Sequence, residues 1–221
     1  MSTPRTARQT TGPRSGTARG TSTGTRTSAA ASTGTGTGSA SPPRTAARAV
    51  VARWPAALGL GVAVLLLAIG VADRTTLAIG VSAAALCYVA AAALGRPWVA
   101  WVSILGASLV VVASEMAGIP WWAGIGLTAL VLLGIGVARG AARPTLPQAA
   151  ALLGYGSLAV VALAVDPGIG LVVAGLTLAG HAAWDVVHHR RGEVVPQPMA
   201  EACLYFDVVL GLGCLALAAF G

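Results

Sequence analysis

"GIGLVVAGLTLAGHAAWDVVHHRRGEVVPQPMAEACLYFDVVLGLGCLALAAF", Gly168 to Phe220, is two apolar runs joined by a short charged turn. Each run is about 20 residues long, the length an α-helix needs to cross a hydrocarbon layer roughly 30 Å thick. No water reaches the backbone in that layer, so an open segment crossing it must be a helix that satisfies its own N–H and C=O groups. The turn between the runs holds Arg, Glu, Gly and Pro, residues that end apolar helices. The stretch therefore reads as a membrane hairpin.

The same pattern extends towards the N-terminus. The chain has 221 residues, of which 56% are hydrophobic and 10% charged; its mean hydropathy is +0.78, a value of integral membrane proteins. Apolar segments of roughly 17 to 22 residues are expected at about 54–72, 76–94, 98–117, 121–138, 148–165, 168–187 and 200–220. They are separated by "ADRTT", "GRP", "GIP", "ARGAARPTLP", "DPG" and "HHRRGEVVPQP". The expected fold class is all-α, a polytopic transmembrane bundle of about seven spans over residues 49–221. Residues 1–48 are Thr, Ser, Gly, Ala, Pro and Arg with almost no apolar side chain, too little to offset ordering entropy, and are expected to be a disordered cytoplasmic tail. No apolar run precedes Trp54 and the tail has no Arg-Arg pair, so neither a cleaved secretory signal nor a twin-arginine signal fits.

The net charge of +7 is carried by arginine alone, eight of the fourteen lying before Trp54. Such a distribution points to membrane orientation and a basic tail, and no nucleic-acid partner is expected. With the tail inside, the inner connections carry Arg96, Arg139, Arg143, Arg190 and Arg191, and the outer ones only Arg74. The expected placement is the plasma membrane, N-terminus cytoplasmic and C-terminus outside. Cys87, Cys203 and Cys214 have no zinc-motif spacing and imply no disulfide framework. No GxGxxG or Walker-type loop is present, and the chain has no lysine, which excludes a retinal Schiff base.

Between Gly180 and Asp207 stand all three histidines and four of the seven acidic residues. Charged groups facing lipid cost about 2.5–3.5 kcal/mol each, so those within a span face protein or water. At 100° per residue, His181, Asp185, His188 and His189 share one arc of roughly 100° on the sixth span. Asp207 on the seventh lies at a similar depth to His181, about 9 Å from the interface, with Cys203 on its own face and Glu201 about 120° away. Candidate catalytic residues are His181, Asp185, His188 and Asp207. Imidazole and carboxylate are ligands for iron, zinc or manganese, and the candidate ligands of one divalent metal are His181, Asp185, His188, His189 and Asp207. A purely architectural reading pairs Asp185 with Arg190 or Arg191 and leaves the "HHRR" run at the headgroups. Tyr88, Trp98 and Trp101 fall on the same side and either wall a pocket or anchor an aromatic belt, and Glu115 is expected near the outer ends of the spans.

The residues His181, Trp184, Asp185, His188, His189, Gly192, Pro196, Cys203 and Asp207 resemble the signature of an uncharacterised family of small bacterial multi-pass membrane proteins. That signature is a histidine, then Trp-Asp, a His-His pair, a Gly-x-x-x-Pro turn, and a later Cys and Asp. It covers about thirty residues near the C-terminus, and Glu201 and the Arg190–Arg191 pair stand outside it. The family has no assigned reaction, so the resemblance implies a site and leaves its chemistry open.

The expected function is a membrane-embedded enzyme acting on a lipid or isoprenoid-like substrate near the cytoplasmic face. Three histidines are too few for a di-iron desaturase centre, so the inventory allows one metal, or none with carboxylate acid catalysis. The alternative is a non-enzymatic membrane protein: a proton-coupled transporter, a sensor or a scaffold. A transporter predicts midplane charges on several helices and an inverted repeat, neither of which the sequence displays.

Overall fold

The computed structural model describes residues 53–220, and the tail expected at 1–48 lies outside them. The described residues form seven α-helices and no strand: α1 (Trp54–Ala68), α2 (Arg74–Leu94), α3 (Val99–Met116), α4 (Trp121–Ala138), α5 (Ala142–Ala164), α6 (Pro167–Arg191) and α7 (Gln197–Phe220). The last six are long and apolar enough to cross a membrane. The first differs from its expected 54–72: α1 has 15 residues, about 22 Å at 1.5 Å per residue. It stops because Gly70 turns left-handed at φ 72° and the chain leaves the helix before Asp73.

The connections follow local chemistry. The carboxylate of Asp73 accepts the N–H of Thr76 at 2.7 Å, and that of Asp166 accepts the N–H of Gly168 at 2.9 Å, so both acids cap the helices they precede. They satisfy N–H groups that the first helical turn leaves open. The fifth helix begins at Ala142, ahead of the expected 148, because Pro144 and Pro147 fall in its opening turns, where few N–H bonds are forfeited. The sixth runs past the expected 187 to Arg191 and ends on Gly192, whose φ of 63° closes the helix.

Helix α2 occupies the centre. It packs against α3, α4, α5 and α6, and 72% of its most apolar stretch is buried, against 17% for α4. Outer faces are apolar too: Leu105 and Leu109 of α3 are each 69% exposed, and Leu130 of α4 is 67% exposed. Surfaces of this kind require hydrocarbon around them. The chain is a multi-pass membrane protein.

Helices α6 and α7 make the most extensive pair in the bundle. Small residues set their distance: a Cβ placed on Gly211 would lie 2.8 Å from the carbonyl oxygen of Gly175. Backbone therefore meets backbone. Helix α1 leans on the outer side of α7, where Gly59 faces the backbone of Ala202.

Candidate functional site

The i, i+4 spacing of His181 and Asp185 puts both on the buried face of α6, and the α6–α7 contact brings Asp207 against them. All three are fully buried. Nδ1 of His181 donates to Oδ2 of Asp207 at 2.8 Å and lies 3.7 Å from Oδ2 of Asp185. From the central helix, the Tyr88 hydroxyl donates to Oδ1 of Asp185 at 2.6 Å. One ligand atom from each of His181, Asp185 and Asp207 can be chosen so that all lie within 4.8 Å of one another.

Three polar atoms in this set have no hydrogen-bond partner: Nε2 of His181, Oδ2 of Asp185 and Oδ1 of Asp207. Buried polar groups are nearly always satisfied, and an isolated buried charge is more costly still. Two carboxylates and one imidazole also form an acidic set in a dry place. Among the described residues no arginine pairs with a carboxylate, so Asp185 meets neither Arg190 nor Arg191. The unpaired atoms of the set are those that a proton held within it or a bound cation would satisfy.

His188 is buried beside the set but is committed elsewhere. Its Nδ1–H donates to the carbonyl of Trp184 at 2.9 Å, which leaves Nε2 to accept from the amide nitrogen of Gln148 at 3.1 Å. The oxygen of that amide accepts from Trp184 Nε1 at 3.0 Å. Both ring nitrogens are occupied, and the histidine contributes packing, its ring 4.8 Å from that of Tyr88. His189 is farther out: its Nδ1–H donates to the Gln197 carbonyl at 3.2 Å, and the Gln197 amide returns a bond to the His189 carbonyl at 3.0 Å. This reciprocal pair ties the end of α6 to the start of α7. Of the five candidate ligands, the structure brings together His181, Asp185 and Asp207 and sets His188 and His189 apart.

Several residues of the site carried weaker signals. Gln148 is an amide at the head of an apolar segment, a polar group in a span and so a marker of function. Tyr88 belongs to the site and not to a belt; around it Cys87, Met199 and Val195 form a small core that Trp101, Trp184 and Cys203 close. Tyr155 of α5 packs its ring edge to face on His181 at 5.0 Å. Trp98 is exposed, Glu115 is exposed at the end of α3, and Glu201 is half-buried outside the set.

Comparison of the chain with protein-family models, with curated proteins and with solved structures gave no match.

Proposed function

We propose that this membrane protein is a metal-dependent enzyme in which His181, Asp185 and Asp207 hold one divalent cation of iron, zinc or manganese. Its substrate is a lipid or isoprenoid-like molecule taken from the bilayer. The observation that carries this reading is the set itself: three fully buried side chains from two adjacent helices, each with one polar atom left without a partner. Two carboxylates and a neutral imidazole bring two negative charges, which a divalent cation offsets, and the ligand types suit those metals. Such a cation supplies Lewis acidity or an activated water. Nδ1 of His181, 2.8 Å from Oδ2 of Asp207 and 3.7 Å from Oδ2 of Asp185, is the ring nitrogen that faces both carboxylates, and the Tyr88 hydroxyl holds Asp185, as outer partners do at metal sites.

The arginine-bearing connections favour placement in the plasma membrane with the α6–α7 turn and the N-terminus at the cytoplasmic face. The resemblance to the family of bacterial multi-pass proteins belongs to the same proposal, since His181, Asp185 and Asp207 are part of its signature. Metal analysis by mass spectrometry on detergent-purified protein tests the reading. About one iron, zinc or manganese per chain is expected in the wild type, and none in Asp185→Ala. A wild type free of metal, together with unchanged phenotype in His181→Ala, overturns it.

A further inference from the structure

His181 is fully buried, and its Nδ1 is turned to Asp207 on α7. Imidazole geometry sends Nε2, which has no partner, away from α7. On the α5 side the ring meets Tyr155, half-buried between α5 and α6. Its hydroxyl donates to the carbonyl of Gly180 at 3.3 Å across the seam, about two turns along α5 from the bonds of Gln148 to Trp184 and His188. Gly180 is exposed on the outer face of α6, and a Cβ there would meet nothing within 4 Å. Gly154, next to Tyr155 on α5, is also exposed with open space around it. The half-buried ring of Tyr155 thus stands between the buried His181 ring and the exposed face of α5 and α6.

We infer that the site is loaded laterally from the bilayer through the α5–α6 seam, with Tyr155 as its door and Gly180 as the threshold. The inference rests on the reading of the His181 set as the reactive centre, and it narrows the substrate to a molecule dissolved among lipid tails. Swinging Tyr155 outward breaks its bond to Gly180, gives up its packing on the core and on the His181 ring, and uncovers His181. Water does not reach the set as it stands, since His181, Asp185 and Asp207 are fully buried and Tyr88, Met199 and Val195 form an apolar cluster beside it.

The test uses full-length protein in phosphatidylcholine vesicles, treated with a chelator so that no cation shields the carboxyls. Dicyclohexylcarbodiimide, an apolar reagent, is compared with a water-soluble carbodiimide. The carboxyl proton passes to a carbodiimide nitrogen, the carboxylate oxygen bonds to the central carbon, and the O-acylisourea rearranges to a stable N-acylurea. Peptide mass spectrometry then locates the adduct. The apolar reagent is expected to modify Asp185 or Asp207 and the water-soluble one neither. Gly180→Leu, which fills the threshold from the lipid side without touching the core, slows the modification several-fold. Tyr155→Phe, which loses only the bond to Gly180, speeds it by about two- to tenfold, the equivalent of one net hydrogen bond. Equal modification by both reagents, no modification of either aspartate, or rates unchanged in both variants overturns the inference. Should metal analysis fail while the seam variants behave as expected, the route stands and the catalytic reading falls.

Discussion

The bond of 2.8 Å from His181 Nδ1 on α6 to Asp207 Oδ2 on α7 makes the chemistry of the site depend on the packing of one helix pair. The two residues sit on separate helices, and what sets their distance is the backbone contact between Gly175 and Gly211 one turn or more away.

Gly211→Val should therefore act on stability and site together. The added side chain meets the Gly175 carbonyl, which cannot move aside, and overpacking of this kind costs about 1–3 kcal/mol. A lower unfolding midpoint in detergent and loss of bound metal are expected in the same variant. Gly134→Val on α4, where an added Cβ meets nothing within 4 Å, should change neither.

Tyr88→Phe keeps the ring and removes the donor to Asp185. Outer partners of this type account for about 10–100-fold in metal affinity, so competition with a chromogenic chelator should read a drop of that order with the helical circular dichroism retained. An unchanged affinity would remove Tyr88 from the site.

His181 and His188 lie two turns apart on one face of α6, both against Tyr88, and should separate cleanly. His181→Ala is expected to lose the metal. His188→Ala and His189→Ala should keep it, since neither ring belongs to the set. Gln148→Leu strands Trp184 Nε1 and His188 Nε2, a loss of about 1–3 kcal/mol for each group left unpaired. Thermal unfolding should register that loss at a metal content near that of the wild type.

Acid should release the cation. Ligands bind metal only in their unprotonated forms, so protons compete for the set and occupancy falls as pH falls. Because a ligand that binds the folded state alone raises stability, added metal should lift the unfolding midpoint near neutrality, and the lift should shrink on acidification. A lift that does not depend on pH would place the metal on other groups.

The helices were legible in the sequence because apolar length is a local property, and six of the expected spans are present as long apolar helices. Helix α1 was read too long, since "AIGVA" is as apolar as what precedes it and only the left-handed turn at Gly70 ends the helix. The pairing of His181 with Asp185 was legible for the same local reason, an i, i+4 step on one helix, and Asp207 followed from depth alone. His188 lay on the same arc as both, and what sets it apart is Gln148, forty positions away on another helix. Helical periodicity says which face a residue occupies; it does not say which neighbour will claim its lone pair. Tyr88 reached Asp185 from ninety-seven positions away for the same reason.

The central place of α2 bears on how the protein is made. Helix α2 follows α1 in the chain, yet its neighbours α3, α4, α5 and α6 all come after it. A segment whose Ala-rich faces are meant for protein must therefore stay in lipid or against the insertion machinery until most of the chain has been synthesised. Tyr88 meets Asp185 only when α6 arrives, and the burial of α2 is completed only by α7, whose Met199 packs with Tyr88. The site is thus a late product of biogenesis, and chains truncated before α6 should be recognisable to membrane quality control by an unburied second helix.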